Sequence, residues 1–302
     1  MNLPAQHPLR QAIAQAVQDV KSQSPMAPSF TNFVTMNFVA NAQLACGGSA
    51  AMSFIATEFD AIAALAKSAY INVGTLLPSY SDALHAITAD LNESAKPWVL
   101  DPVAAGLGQT RTDILTDMQH NPPTIVRGNA SEIIVLAQLW GLDCGSSSHG
   151  PEGVESADDV QSAMEPARLL ARFMAEHTPS GQAAVAVSGE EDLITDGTQT
   201  FRLHGGSPLM TKITGAGCSL GGVTATYLSV ASPLVAALAA SMLYNVASDA
   251  AAQALDALNQ CDSCAPVRQA LPAGPGTFQA LFLDALAAAT AEQVSAAEIS
   301  EC

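Results

Sequence analysis

The sequence predicts a single α/β domain of three layers, with a mainly parallel central sheet flanked by helices. Short apolar runs that end at turn residues alternate with segments of helical periodicity along the chain. This alternation is typical of a parallel sheet covered on both faces. The 302 residues contain neither an internal repeat nor a boundary between domains. We therefore expect one domain over residues 1–302, with peripheral tails at about 1–25 and 290–302.

The individual elements follow from the same patterns. Four apolar runs are predicted to be buried parallel strands: Tyr70–Val73, Trp98–Leu100, Thr124–Val126 and Ala183–Val187. Helical periodicity predicts helices over Ser81–Leu91, Arg111–Asp117, Ala130–Leu139 and Ala157–Glu176. The segment Asp192–His204 has an Asp196-Gly197 turn between short apolar runs, which indicates an antiparallel hairpin at the sheet edge. From Cys218 onward the chain is rich in alanine and is predicted to be mostly helical.

The composition limits the partners. A net charge of −17 argues against nucleic acid and anionic membranes, because both repel an acidic surface. The N-terminus lacks the apolar segment of a signal peptide, so we expect a cytoplasmic protein with six reduced cysteines. The uncharged stretch Ile213–Ser248 is interrupted by glycines, and its second half, Pro233–Val246, is shorter than the roughly 20 residues of a membrane span. We expect two buried helices there.

Two further segments carry no predicted chemistry. Cys261 and Cys264 form a C-x-x-C pair, but no second pair of ligands stands at a similar spacing to complete a zinc site. We interpret them as loop cysteines. The Gly/Ser-rich interval Asp143–Glu155 is predicted to be a surface loop.

Polar residues follow the predicted strands. Asp101, Arg127, Asn129 and Ser188 each come just after an apolar run. Ligands of open α/β sheets bind outside the carboxyl ends of the strands. These side chains are therefore candidates for one crevice.

The loop Thr214–Cys218 is a candidate anion site. Its glycines let backbone N–H groups approach an anion, and the helix that it opens adds a partial positive charge. The same position is expected to lower the pKa of the Cys218 thiol. The loop matches neither a Walker A sequence nor the dinucleotide fingerprint. A glycine turn at a close helix contact would have the same pattern.

The loop resembles the anion-binding motif of ribokinase-like kinases, in which an Asp normally follows; a cysteine there, as at Cys218, is typical of hydroxyethylthiazole kinases. Other segments resemble that family in the same order along the chain: Thr31–Asn41, Gly47–Met52, Asn72–Thr75, Asp101–Val103, Arg127–Glu132, Ser188–Glu190, Pro208–Cys218 and Gly274–Phe278. The chain departs from the family pattern at Pro28, where a His is usual, at Ser188 in place of Thr, and at Gly48-Ser-Ala50, which lacks a Pro.

The resemblance implies a ribokinase-like fold and ATP-dependent phosphorylation of the hydroxyl of 4-methyl-5-(2-hydroxyethyl)thiazole in thiamine salvage. It also implies Mg²⁺ and a homotrimer with active sites between subunits. The alternatives are a kinase of the same fold that acts on another small alcohol, such as hydroxymethylpyrimidine or a sugar, an ATP- or ADP-dependent NAD(P)H-hydrate dehydratase, and a thiazole-binding protein without catalysis.

The resemblance also assigns roles to residues at the phosphoryl group. Gly215, Ala216 and Gly217 would present N–H groups to it, and Cys218 would lie near the substrate hydroxyl. A thiolate is a modest base and phosphoryl transfer depends mostly on positioning and charge. We therefore expect Cys218 to assist by its position and to be less than essential. It could equally be a small apolar residue at a helix start.

The remaining roles concern the ligands. Met52, Asn32 and Gly215 match substrate-binding positions, and Arg127, Ser188 and Lys212 match ATP-binding positions. Asp101 and Glu132 match the acidic positions linked to Mg²⁺. Met52 could also be ordinary core filling, Asp101 a turn residue before Pro102, and Glu132 a residue favoured by the helix dipole.

Overall fold

A nine-stranded sheet runs through the computed structural model, which describes residues 2–143, 160–261 and 271–302. The spatial order of the strands is β2-β1-β3-β4-β5-β6-β7-β8-β9. Their bounds are β1 Met26–Phe30, β2 Ser49–Met52, β3 Ala69–Asn72, β4 Trp98–Asp101, β5 Ile125–Asn129, β6 Ala184–Ser188, β7 Asp192–Thr195, β8 Thr200–Leu203 and β9 Ile299–Glu301. The three-layer fold with a mainly parallel sheet is confirmed.

The pairing divides the sheet into two parts. Strands β2 to β6 are parallel, and β6 to β9 are antiparallel. The predicted hairpin is confirmed as β7 and β8, and Gly197 at its turn has a φ of +88°. The predicted parallel strands are β3 to β6. Strand β5 continues to Asn129, so Arg127 and Asn129 lie within the strand and not in a following loop.

Helices cover both faces of the sheet. In the described ranges they are α1 Pro8–Gln23, α2 Met36–Ala45, α3 Ala56–Leu65, α4 Tyr80–Glu93, α5 Gln109–Asp117, α6 Ala130–Leu139, α7 Met164–His177, α8 Ala216–Leu228, α9 Pro233–Gln260, α10 Pro275–Ala288 and α11 Ala291–Ala296. Short 3₁₀ turns occur at Met118–His120 and Pro208–Lys212. Helix α7 begins at Met164, seven residues later than the predicted start at Ala157. Residues 144–159 and Cys264 lie outside the described residues.

Alternation along the strands builds two cores, because successive side chains of a strand point to opposite faces. Tyr70, Val99 and Ile125 belong to the core beneath α1, α2, α8 and α9. Ile71, Leu100 and Val126 belong to the core beneath α3 to α7. Residues two positions after the first set, including Asn72, Asp101 and Arg127, therefore face the same side as α8.

Helix α9 is longer than predicted. It runs for 28 residues, and among the described residues it is the one helix long and apolar enough to cross a membrane by length and composition. However, 67% of its most apolar 18-residue stretch is buried inside the fold, where α9 contacts α8 and α10. The expected burial is confirmed, while the length argument against a span was wrong.

The chain ends are integrated into the fold and are not peripheral as expected. Ile13, Val17 and Val20 of α1 are fully buried. Strand β9 pairs with β8 at the sheet edge. The Arg10 guanidinium donates hydrogen bonds to the carbonyl oxygens of Ser295 and Ala297, which ties the two ends together.

Candidate active site

The site lies at the carboxyl ends of the parallel strands. Asp101 is the last residue of β4, and Ser188 is the last residue of β6. Asn72 ends β3 in the same way, and Met52 ends β2. Of the four predicted residues, Asp101, Arg127 and Ser188 meet at this edge, whereas the Asn129 side chain caps α6.

The loop before α8 forms the floor of this crevice. Gly215 has a φ of +88°, and a Cβ there would lie 2.8 Å from Thr35 Cγ2, so both backbone and space require glycine. The predicted helix after this loop is present as α8, which begins at Ala216 within the loop, and no described side chain caps its N-terminus. The first N–H groups of α8 are therefore available to an anion.

Arg127 lies directly against the first turn of α8. A Cβ at Gly217 would be 2.5 Å from Arg127 Nη1. Nη2 donates a hydrogen bond of 2.7 Å to Ser188 Oγ, while Nε is buried without a partner among the described residues. The guanidinium and the helix N-terminus thus add their positive charge at one place.

Asp101 is completely buried in a polar network. Its Oδ2 accepts hydrogen bonds from Asn72 Nδ2 at 2.9 Å and from the Tyr70 hydroxyl at 3.0 Å, and lies 3.9 Å from Arg127 Nη1. Burial raises the pKa of Asp101, and Arg127 opposes this increase. Oδ1 is buried without any partner in the described parts of the chain. An unpaired carboxylate oxygen is costly, so this atom needs a ligand.

Glu132 has a structural role at the start of α6. Its Oε2 accepts from the Asn129 backbone N–H at 2.8 Å, while Asn129 Oδ1 accepts from the Glu132 N–H at 2.9 Å, which completes a capping box. Its Oε1 accepts from the Ala104 N–H at 2.9 Å. Burial, followed by the charge of Asp101, raises the pKa of Glu132 to about 7. The helix-terminus interpretation of Glu132 is therefore correct, and each carboxylate oxygen still has a lone pair to offer.

These two acids fit a magnesium ion. Both offer the oxygen ligands that Mg²⁺ prefers, and Asp101 Oδ1 is free to bind one. No cluster of three or more His, Cys, Asp or Glu side chains suited to a metal occurs in the described ranges. Mg²⁺ commonly uses only one or two carboxylates, with water and phosphates as the other ligands.

Cys218, in the first turn of α8, lies beside Asn32. Asn32 Nδ2 is 3.7 Å from its Sγ and donates a second hydrogen bond, of 3.0 Å, to Asn72 Oδ1. Burial, followed by the charge of Asp101, raises the pKa of Cys218 to about 11. The predicted lowering of this pKa is wrong, because burial and the charge of Asp101 outweigh Arg127 and the neighbouring polar side chains. At neutral pH Cys218 is a thiol.

The segment between β1 and α2 supplies uncommitted polar atoms. Thr31 Oγ1, Asn32 Oδ1 and Thr35 Oγ1 are buried and have no hydrogen-bond partner among the residues that the structure describes. Thr35 lies against Gly215, and Asn32 lies beside Cys218. The atoms of Asn32 and Thr35, next to the anion loop, are suited to a ligand with a hydroxyl group.

Two predicted residues are less closely tied to this centre. Met52 is half-buried and packs against the core beneath α8. Lys212 is exposed in the 3₁₀ turn Pro208–Lys212. It does not line the cleft that adjoins the first turn of α8.

That cleft has a volume of about 640 Å³ and opens from the first turn of α8. Arg127, Ser188, Ala216 and Gly217 line it at the start of α8, and Tyr244 and Asn245 of α9 also line it. Two carboxylates, Glu190 and Asp192, also line the cleft. The sequence patterns missed Asp192, whose pKa burial raises to about 6.

Sequence reasoning also assigned no role to two other residues of the site. Tyr70 was hidden within an apolar run. Asn72 stood in a quoted motif, and its position at a strand end was the signal that could have identified it.

Known proteins resemble this chain over nearly its whole length. The model of the hydroxyethylthiazole kinase family matches residues 17–292. A hydroxyethylthiazole kinase of Bifidobacterium adolescentis is 57% identical over 296 residues, which cover 97% of this chain and 95% of that protein. A protein of the same name from Brachyspira hyodysenteriae is 36% identical over 279 residues, which cover 92% and 94%.

Solved structures agree on the fold. The hydroxyethylthiazole kinase of Pyrococcus horikoshii OT3 has a TM-score of 0.77 at 27% identity, with 97% of this chain and 99% of that chain covered. The pyridoxal kinase of Staphylococcus aureus in complex with ADP has a TM-score of 0.53 at 14% identity, covers 74% and 88%, and is similar in fold alone. The ribokinase-like fold is confirmed. With a matching family model and relatives of this identity, the chain belongs to the hydroxyethylthiazole kinase family.

Proposed function

We propose that this protein transfers the γ-phosphoryl group of ATP to the hydroxyl of 4-methyl-5-(2-hydroxyethyl)thiazole, a step of thiamine salvage. The observation that carries the proposal is the position of α8. Asn32 lies beside Cys218 in the first turn of this helix, and Ala216 and Gly217 of the same turn line the cleft together with Arg127 and Ser188. A phosphoryl group at this N-terminus would stand between an acceptor and a donor.

The donor side fits a nucleotide. The cleft is large enough for one, and positive charge is concentrated where Arg127 meets the first turn of α8, although Glu190 and Asp192 also line it. A buried guanidinium binds phosphate oxygens strongly because its charge is poorly screened. Arg127 Nε, which is unpaired among the described residues, offers one more donor there. Ser188 orients the guanidinium through its hydroxyl.

The acceptor side fits a small alcohol. Thr31, Asn32 and Thr35 offer free polar atoms that can hold a hydroxyl group in line with the phosphoryl group. Cys218 stays protonated at neutral pH, so it contributes by shape and position rather than as a base. The transition state of phosphoryl transfer is loose, and the alcohol need not be deprotonated beforehand.

Asp101 and Glu132 would hold Mg²⁺, which when bound neutralises negative charge on the phosphates. Asp101 would offer Oδ1, while Oδ2 remains fixed by Tyr70 and Asn72. Lys212, exposed at the rim, would contribute a weaker contact to the phosphates.

Met52 would contact the thiazole ring, since a thioether is polarisable and adapts to a sulfur heterocycle. It ends β2, which is the edge strand of the sheet. Large apolar side chains near this edge are exposed, namely Leu44, Ile55 and Leu65. An exposed edge strand with apolar neighbours favours association. We infer a cytoplasmic homotrimer in which the substrate end of each site lies at a subunit contact.

A substrate panel tests the proposal. ADP release is measured with the thiazole alcohol, hydroxymethylpyrimidine, a sugar and a blank, each with ATP and Mg²⁺. We expect the highest kcat/KM for the thiazole alcohol. A higher value for the pyrimidine alcohol would place the chain among kinases for other alcohols, and turnover of hydrated NADH without a phosphorylated alcohol would identify a dehydratase.

A further inference from the structure

Tyr70 connects two parts of the site that belong to different elements. Its side chain is fully buried in the middle of the sheet. Its hydroxyl lies 3.0 Å from Asp101 Oδ2 and 2.8 Å from the carbonyl oxygen of Cys218, and it accepts a hydrogen bond of 3.0 Å from Asn72 Nδ2. The hydroxyl has one proton, which the carboxylate and the helix carbonyl share.

The contact with α8 depends on Gly221. This residue lies three positions after Cys218, on the same face of the helix. A Cβ at Gly221 would be 2.5 Å from Tyr70 Cε2 and 2.7 Å from the hydroxyl oxygen. The absence of a side chain at residue 221 therefore lets the ring approach the helix backbone, which brings the hydroxyl to the Cys218 carbonyl.

The two partners of Tyr70 belong to different parts of the proposed phosphoryl-transfer site. Asp101, at the end of β4, has its second oxygen free for a ligand. Cys218 lies in the first turn of α8, whose N–H groups have no side-chain cap among the described residues and are available to an anion. Phosphoryl transfer loses rate steeply when such groups are displaced by a fraction of an ångström to an ångström.

We propose that Tyr70 is a positioning residue for phosphoryl transfer: its hydroxyl fixes the Asp101 carboxylate and the first turn of α8 in one relation to each other. Tyr70 touches neither substrate nor phosphate in this account. It acts through the two groups that do, so its loss lowers kcat and leaves substrate binding nearly unchanged. The inference rests on the proposed function for the identity of the transferred group.

The test compares Tyr70→Phe with Tyr227→Phe. Tyr227 lies on α8 and, like Tyr70, is fully buried, but its hydroxyl has no partner among the described residues. Both variants lose one buried hydroxyl. In the ADP-release assay we expect Tyr70→Phe to lower kcat by about tenfold, since a hydrogen bond to a charged group is lost. KM for ATP and for the alcohol should change by less than about twofold, because neither ligand contacts Tyr70. Tyr227→Phe should match the wild type.

A second readout needs no turnover. Peptide-level amide hydrogen exchange reports whether the start of α8 has loosened. We expect exchange at residues 219–222 to be about fivefold faster in Tyr70→Phe and unchanged in Tyr227→Phe. Because this comparison is independent of the substrate, it still decides the inference if the wild type proves inactive on the thiazole alcohol.

Gly221→Ala provides a third variant, which keeps the hydroxyl but displaces the ring. It should show the same loss of kcat and faster exchange even if Tyr70→Phe fails to fold. The inference is overturned if Tyr70→Phe keeps the wild-type kcat, if exchange at residues 219–222 is unchanged, or if Tyr227→Phe loses as much activity as Tyr70→Phe.

Discussion

Arg127 lies so close to Gly217 that a Cβ at residue 217 would be 2.5 Å from Nη1 of the guanidinium. The strand residue and the first turn of α8 thus fit together only because position 217 has no side chain. Glycine is required at two positions of this loop for different reasons. Gly215 has a positive φ, whereas the absence of a side chain at Gly217 leaves room for the Arg127 guanidinium. The first prediction follows from this contact.

Gly217→Ala should displace Arg127 from the helix N-terminus. We expect kcat/KM for ATP to fall by about 10- to 100-fold, because the two positive groups no longer converge on one phosphate. The matched control is Gly276→Ala in α10, where no heavy atom of the described residues lies within 4 Å of the added Cβ. Its activity should equal that of the wild type. Steady-state kinetics on both variants decide the point, and an active Gly217→Ala enzyme would contradict it.

Cys218→Ser should retain most of the activity. The thiol has a pKa of about 11 and is protonated at neutral pH, whereas a general base would contribute about 100-fold or more. We expect kcat to fall by less than about tenfold. A Cys218→Ser enzyme without activity would show that the thiol has a chemical role after all.

Arg127→Ala and Glu132→Ala should each be more damaging than Cys218→Ser. Loss of a preorganised cation at the transferred group costs about 100- to 1000-fold in kcat. Removal of Glu132 also leaves the Asn129 and Ala104 N–H groups without their acceptor. The same kinetic assay, with circular dichroism to confirm folding, checks the ranking. A healthy Glu132→Ala enzyme beside an inactive Cys218→Ser enzyme would reverse the assignment.

Glu132 should make stability depend on pH in the absence of metal. Its pKa in the folded state, about 7, is above its ordinary value of 4.5, so between these values the folded state holds a proton that the unfolded state releases. This stabilisation is complete below pH 4.5 and is lost as pH rises through 7, to a total of at most about 3 kcal/mol. Urea unfolding from pH 5 to 8 should show a steeper decline for the wild type than for Glu132→Gln. Parallel curves would contradict the assignment.

Ile55→Asp should weaken the proposed trimer. Ile55 follows the edge strand β2 and is 62% exposed, so a charge there is tolerated in a monomer but not inside an apolar contact. We expect light scattering to show a smaller species, with reduced activity. Leu271→Asp, at an exposed leucine far along the chain from β2, is the control and should leave the mass unchanged. A wild-type protein that is monomeric at working concentration would end the trimer proposal.

Much of the fold could be predicted because its strands β3 to β6 are short apolar runs with clear ends. Strands β1 and β2 were missed for physical reasons. β1 contains Pro28, which breaks a strand pattern, and β2 consists of small residues at the sheet edge. Strand β9 has three residues and forms only because β8 offers an unpaired edge. Local strand propensity therefore does not reveal β1, β2 or β9.

The site was predicted in part. Asp101, Arg127 and Ser188 could be found because polar residues at strand ends converge in a parallel sheet. The distances and contacts among these side chains could not be predicted, since they depend on the register that places residues 72, 101 and 127 on the side of α8. The lowered pKa of Cys218 was predicted from its helix position alone. Burial beside Asp101, which only the packed structure reveals, reversed the sign.

In the proposed reaction, the enzyme transfers a phosphoryl group from ATP to a thiazole alcohol while the N-terminus of α8 binds that group. The most direct measurement couples ADP release to mass spectrometry of the product, with 4-methyl-5-(2-hydroxyethyl)thiazole, ATP and Mg²⁺. We expect one phosphorylated thiazole for each ADP, and no ADP release when either the alcohol or the metal is left out. ADP release without a phosphorylated thiazole, or the same rate in the absence of the alcohol, would contradict it.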